Sequence, residues 1–183
     1  MNEIDQLSTQ LFEEAKRFLE KASAESEGSV ARDAYAHAAL LLGFSSLEAH
    51  VNAIADELTL RSNLDVLDKS ILTEREVVLQ DGRFELTNKL KIYRFEDRVA
   101  HILANFSGAD RQISGKPIWW ASLKTGIDLR NQLVHPKANI VITTAAVSSA
   151  LQAVLECLNA LYVTIYGRPL PMFKRGLQST LAF

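Results

Sequence analysis

The stretch VARDAYAHAALLLGFSSLEAHVNAIADELTL, residues 30–60, decides the fold class of this 183-residue chain. Its apolar residues recur at every third or fourth position, which is the spacing of one face of an α-helix. Ser29 precedes the stretch and is suited to cap that helix, because its side chain can accept a hydrogen bond from the first turn. A helix of this length extends for about 45 Å, and we expect it to bend at residues 43–46. The apolar stripe consists of Leu40, Phe44, Leu47, Val51, Ile54 and Leu58.

Four other stretches have the spacing or the boundaries of long helices. Pro136 ends one of them, because the residue before a proline is pushed out of helical geometry. Thr143 is suited to cap the last helix, which Gly167 and Pro169 end. The four stretches cover about residues 3–25, 89–106, 118–134 and 144–166. Together with residues 30–60 they predict an all-α helical bundle of about five helices.

Residues 61–88 are the least regular part of the sequence. A short helix is predicted over residues 67–76. Residues 77–86 place two apolar runs on either side of Asp81-Gly82, which is the signal for a small hairpin. The competing interpretation is an irregular insert with a helix resuming nearby, and the pattern leaves both open.

Composition narrows the classes of protein to consider. With 48% hydrophobic and 23% charged residues, the chain has the balance of a globular protein and is long enough to bury a core. Its formal net charge of −2 argues against a broad basic surface that binds duplex nucleic acid nonspecifically. Cys157 is the only cysteine, so no internal disulfide forms and the reducing cytoplasm is the simpler location.

We expect a single domain over residues 1–183, with an irregular tail at residues 168–183 that packs on the body or on a partner. The first residues, MNEID, lack the charged-then-apolar order of a signal peptide. No apolar run approaches the roughly 18 residues that span a bilayer, so no membrane attachment is expected. The spacing of the four histidines indicates no metal site, and no cofactor is predicted.

Arg130 interrupts the apolar face of the helix over residues 118–134. At 100° per residue it lies about 20° from Leu123, in the middle of that face. An unpaired buried guanidinium costs several kcal/mol. Arg130 must therefore meet a carboxylate, extend along the face to water, or point into a cleft or a partner subunit.

Asn131 and His135 share a flank of the same helix, one turn apart, where their side chains can touch. His135 lies in the last turn, where the partial negative charge of a helix C-terminus favours the imidazolium form. An imidazolium is the better general acid. The nearby charge of Arg130 opposes this bias, and the sequence does not decide which effect is larger.

Residues 130–135, Arg-Asn-Gln-Leu-Val-His, resemble the Arg-x(4–6)-His motif of the HEPN family, which carries a polar residue after the arginine. The placement late on a penultimate helix is similar as well. Residues 40–58, with Glu48 and Asn52, resemble the second helix of many such domains. The resemblance covers about residues 29–166 and implies a helical HEPN-like domain.

The resemblance implies a metal-independent endoribonuclease of toxin or RNA-defence type, in which a 2′-hydroxyl attacks the adjacent phosphate. His135 would act as general base or acid, Arg130 would stabilise phosphate charge and Asn131 would orient groups. Such domains typically dimerise so that two motifs face one groove, which suits an arginine on an apolar face. The implied partners are a second copy of the chain, RNA or a nucleotide, and an antitoxin protein.

A structural role is the alternative interpretation of the motif. Arg130 would then be held by Glu48, on the rim of the apolar stripe. The chain would be a non-catalytic HEPN-like scaffold that binds RNA, a nucleotide or a protein. The residues assigned to binding or support are Glu48, Asn52, Lys124 and Asp128.

Overall fold

The computed structural model describes residues 3–107, 115–137 and 140–183, with side chains from residue 6 onward. Within these ranges the chain is predominantly helical, as predicted, and forms six α-helices and one two-stranded antiparallel sheet. The prediction of about five helices was therefore one short, and the sixth is the short helix predicted over residues 67–76. In chain order the elements are α1 (Glu3–Ala24), α2 (Val30–Thr59), α3 (Val66–Thr73), β1 (Arg75–Gln80), β2 (Arg83–Leu90), α4 (Phe95–Asn105), α5 (Trp120–Val134) and α6 (Thr144–Tyr166).

The long helices begin and end where local chemistry directs them. The Ser29 side chain accepts a hydrogen bond from the Arg32 N–H at 3.1 Å, and Thr143 accepts one from the Ala146 N–H at 3.1 Å. Gly167 ends α6 in the left-handed conformation, with φ of 67°. All three predicted helix ends are confirmed.

Helices α2 and α6 carry most of the hydrophobic core, with α1 lying along α2 and α5 against α6. Cys157 on α6 is fully buried there, and burial raises the pKa of its thiol. Because both central helices are packed on several sides, they are apolar around much of their circumference. The largest fully buried apolar side chains are Phe12, Leu40, Phe44, Leu47, Leu58, Ile102, Leu123, Leu151, Leu155, Leu158 and Leu161.

Helices α2 and α6 are also long and apolar enough, by length and composition alone, to cross a membrane. In each helix, however, about half of the apolar window, 56% and 50% respectively, is buried inside the fold. Core helices of soluble proteins pass the same test. The absence of membrane attachment stays a prediction.

The hairpin predicted over residues 77–86 is confirmed and is longer than expected, with β1 and β2 joined by Asp81-Gly82. Both turn residues have positive φ, 48° and 78°, as a two-residue hairpin turn of the primed type requires. The irregular-insert interpretation is therefore wrong.

The longer hairpin also corrects the predicted helix over residues 89–106. Arg75 on β1 pairs with Leu90, which keeps the chain extended to that residue, and α4 begins only at Phe95. Leu90, inside the predicted helix, is 72% exposed at the end of β2. Strand pairing across the hairpin overrides the local helical spacing.

Helix α5 lies close against both central helices at Gly126. A Cβ atom at this position would lie 2.8 Å from Phe44 Cζ and 2.9 Å from Ala150 Cβ. The absence of a side chain therefore permits the close approach of α5. The helix starts at Trp120, two residues later than predicted, and carries Arg130 near its C-terminal end.

The C-terminal tail, residues 168–183, packs on α1. The rings of Phe183 and Phe18 lie 5.5 Å apart, and Arg17 Nε donates to the backbone oxygen of Phe183 at 2.7 Å. One 3₁₀ turn, Phe173–Arg175, interrupts the irregular tail. The tail was predicted to pack either on the body of the domain or on a partner, and it packs on the body.

Candidate functional site

Arg130 meets a carboxylate, the first of the three environments that its position required. Its Nη2 donates to Glu48 Oε1 at 2.8 Å, and its Nη1 donates to Asn131 Oδ1 at 3.1 Å. The side chains of Arg130 and Glu48 are 29% and 42% exposed. The ion pair named in the structural interpretation is thus present, but it remains open to solvent.

The Arg130–Glu48 pair borders a cavity of about 370 Å³ between α2, α4 and α5. We call it the α2–α4–α5 cavity. Its apolar lining comes from one aromatic or aliphatic residue of each helix, and its polar lining from charged residues and one amide. The apolar residues are Phe44, Phe95 and Ile127, and the polar residues are Glu48, Arg94, Glu96, Asp128, Arg130 and Asn131.

His135 lies one residue beyond α5, as its C-cap, rather than in the last turn as predicted. Its backbone N–H donates to Asn131 O at 2.9 Å, and its side chain is exposed. Together with Asn131 and Asp128 it lines an open concavity of about 760 Å³. Asn131 and His135, which were expected on one flank of the helix, line the same concavity.

Arg130 and His135 consequently face two adjoining concavities rather than one. Asp128 and Asn131 line both, and they form the ridge between the two. Within the described ranges Asp128 is an exposed carboxylate without a hydrogen bond or an ion pair. Of the four supporting residues, Glu48 and Asp128 line the α2–α4–α5 cavity beside Arg130, and Asp128 also lines the concavity of His135.

Asn52, one turn beyond Glu48 on α2, is bound to a different arginine. Arg98 Nη1 donates to Asn52 Oδ1 at 3.1 Å and lies 3.1 Å from Glu74 Oε2. The Arg98 side chain is only 7% exposed. Asn52 therefore helps to fasten α4 to α2 and makes no direct bond to Arg130. The two arginines line neighbouring cavities that share Glu48 and Phe95.

Lys124 is exposed and lies outside the two concavities beside the motif. Its positive charge acts on Glu96, which lines the α2–α4–α5 cavity. Burial alone would raise the pKa of Glu96, but the hydrogen bond and charge of Arg94, with a smaller contribution from Lys124, lower it overall. Glu96 is therefore ionised at neutral pH.

Sequence reasoning missed Arg94 and Glu96, which form the α4 side of the α2–α4–α5 cavity, and Arg98, which lines the neighbouring cavity. Arg94 Nε donates to Glu96 Oε1 at 2.9 Å at the start of α4. An arginine followed by acidic residues is a recognisable helix start. This helix start at Arg94 was overlooked because the predicted helix began at residue 89, so that Arg94 and Glu96 lay in its interior.

No group of three or more His, Cys, Asp or Glu side chains in the described ranges is arranged to hold a metal ion. No family model matches the chain, and neither a curated protein nor a solved structure matches it. Residues 130–135 and the geometry around them are therefore the features that bear on function.

Proposed function

We propose that this chain is a HEPN-like, metal-independent endoribonuclease acting at the C-terminal end of α5. One observation supports this function best: a partly buried Arg130 and an exposed His135 line adjoining open concavities that share Asp128 and Asn131. A phosphate between the two concavities would be within reach of a cation on one side and a proton-transfer group on the other.

The chemistry assigned to the site is transesterification of RNA. The 2′-hydroxyl loses its proton to His135 and attacks the adjacent phosphorus, and the bond to the 5′-oxygen breaks. The products are a 2′,3′-cyclic phosphate and a 5′-hydroxyl, which takes up a proton. Arg130 stabilises the charge on the phosphate, and the Asn131 side chain orients Arg130 through their 3.1 Å hydrogen bond.

A homodimer completes this proposal. The mechanism needs one group to remove a proton and one to supply it, and a second copy contributes a second His135. In this arrangement the ends of the two α5 helices face each other across one RNA-binding groove. Association through this surface would also bury part of the exposed end of α5.

The ion pair with Glu48 does not prevent Arg130 from binding phosphate. Partly exposed pairs contribute only about 0–1 kcal/mol, so an incoming phosphate can compete with the carboxylate. Arginine binds phosphate through two parallel hydrogen bonds, which Glu48 Oε1 alone does not offer.

The deciding experiment is cleavage of single-stranded RNA in excess EDTA, with analysis of the product ends. We expect 2′,3′-cyclic phosphate ends, and a loss of about 10²–10⁴-fold in rate for His135→Ala, the usual contribution of general acid–base catalysis. His37→Ala, which changes a histidine on α2, is the matched control. Undiminished cleavage by a folded His135→Ala protein would rule out His135 as the catalytic group and with it the proposed site.

A non-catalytic binding module is the second candidate, and the Arg130–Glu48 ion pair favours it. In that case the same surface binds RNA, a nucleotide or a protein such as an antitoxin, without cutting. We then expect Arg130→Ala to weaken RNA binding in a filter or anisotropy assay, while no cleavage is seen with the unchanged protein.

A further inference from the structure

We propose that the α2–α4–α5 cavity is a guanine-binding subsite, in which Asp128 recognises the base. The inference rests on the proposed function, because it places this base beside the phosphate that Arg130 and His135 would act on. It also names a specificity-determining residue for that reaction.

The size and the apolar lining of the cavity suit one nucleobase. Its volume is about 370 Å³, at the lower end of the roughly 300–1,000 Å³ of small-ligand pockets. Phe95 and Ile127 are partly buried, so each keeps some surface available to a ligand. Aromatic side chains in such sites bind bases by stacking, which is tolerant of sequence. Stacking therefore accounts for affinity, and selectivity must come from the polar lining.

The carboxylates around the cavity differ in their partners. Glu48 accepts from Arg130 at 2.8 Å, and Glu96 accepts from Arg94 at 2.9 Å. Within the part of the chain that the structure describes, Asp128 makes no hydrogen bond or ion pair of this kind and interacts with Arg94 only through its charge. A carboxylate without such a partner is free to accept hydrogen bonds from N–H groups, which the edges of bases carry and phosphates do not.

An ionised carboxylate is an acceptor only, with room for two parallel N–H donors. Guanine is the base that offers two adjacent donors on one edge, N1–H and N2–H₂. Uracil offers one N–H between two carbonyl oxygens that a carboxylate repels. Guanine also presents the O6 and N7 acceptors, which arginine binds in preference to other base edges. Arg94, with its side chain 67% exposed at the mouth of the cavity, supplies that donor.

The position of Asp128 connects the base to the reacting phosphate. It lines the cavity beside Arg130 and also the concavity of His135. A guanine held at Asp128 therefore leaves its own sugar and phosphate near the ridge formed with Asn131. Cleavage next to guanosine follows from this placement.

The test is isothermal titration of the full chain with 3′-GMP, 3′-AMP, 3′-CMP and 3′-UMP. We expect 3′-GMP to bind about tenfold or more tightly than 3′-UMP, and Asp128→Asn to remove that preference. Asp56→Asn is the matched control, since it removes an exposed helical carboxylate of α2 outside the cavity. Equal affinities for the four nucleotides, no binding of 3′-GMP, or a preference that survives Asp128→Asn would each overturn the subsite.

A second readout separates this inference from the nuclease proposal. Cut sites mapped on an RNA of mixed sequence should lie beside guanosine for the unchanged protein and lose that bias in Asp128→Asn. Cleavage without base preference would overturn the subsite while the nuclease stands. Selective 3′-GMP binding that depends on Asp128, with no cleavage of RNA, would support the subsite and reject the nuclease.

Discussion

Two of the regions that hold ion pairs, the C-terminal tail on α1 and the end of α5, differ in how completely the charges are enclosed. Under the C-terminal tail, Glu13 accepts from Lys16 and Arg175 at 2.6 Å each and from the Thr180 N–H at 2.8 Å. Lys16 is fully buried and the Glu13 side chain is 7% exposed. At the end of α5, Glu48 has one bond to Arg130, and both side chains are substantially exposed.

This difference separates charges that only stabilise the fold from charges that a ligand can reach. Glu13 has its acceptor capacity occupied by α1 and the tail, so no ligand can reach it without moving the tail. Glu48 and Arg130 retain both solvent access and unused hydrogen-bonding capacity beside a cavity. An ion pair of the second kind contributes little to stability and can exchange its partner for a ligand.

The largest expected effect is the loss of Glu13. Glu13→Ala leaves the buried Lys16 without a counter-charge, and breaking a buried pair in this way costs about 3–5 kcal/mol. Urea unfolding would measure the change. The double variant Glu13→Leu with Lys16→Met removes both charges and should recover most of the loss. If Glu13→Ala lowers the free energy of unfolding by less than about 1 kcal/mol, the enclosed cluster contributes no more to stability than the Arg130–Glu48 pair.

Acidification should remove the stability that Glu13 gives to the enclosed cluster. Burial would raise the pKa of Glu13, but the hydrogen bonds and charge of Lys16 and Thr180 lower it overall. A carboxyl whose folded pKa is lowered adds stability above its unfolded pKa, and that stability is lost as the pH falls through the folded pKa. Melting temperatures between about pH 6 and pH 3 should therefore fall more steeply for the unchanged protein than for Glu13→Gln. Parallel curves would contradict this assignment.

The open site should depend on the docking of α5 more than on its ion pair. Gly126→Ala forces a Cβ against Phe44 and Ala150, and such overpacking costs about 1–3 kcal/mol. Because it displaces the helix that carries the motif, RNA cleavage or binding should fall as well. Thr125→Ala, on the exposed side of α5, is the control for unfolding and activity. Full activity in Gly126→Ala would show that the site tolerates movement of the helix.

The smallest effect on stability is expected from the open pair itself. Arg130→Ala should change the free energy of unfolding by no more than about 1 kcal/mol, because the pair is partly exposed. Its effect should appear in RNA binding or cleavage instead. If Arg130→Ala lowers the free energy of unfolding by several kcal/mol, Arg130 stabilises the fold as Lys16 does. That result would favour the scaffold interpretation.

Prediction from sequence succeeded where neighbours along the chain carry the information. Ser29 and Thr143 cap the starts of α2 and α6, and Gly167 ends α6. Each does so through contacts a few residues away. Asp81-Gly82 formed its turn for the same reason. The start of α4 was wrong, because the pairing of β2 with β1 extends the strand beyond the residues that suggested a helix.

The sequence by itself determined the predominantly helical class, the helix ends at Ser29, Thr143 and Gly167, and the unusual position of Arg130 on α5. Helical periodicity and capping are local, so a single chain read in order contains them. Only the tertiary structure decided that Arg130 lies against Glu48, 82 residues away, and that Arg94 and Glu96 form the opposite wall. It also decided that Asp128 is left unpaired between two concavities. Such contacts depend on how α2, α4 and α5 pack, which no local pattern records.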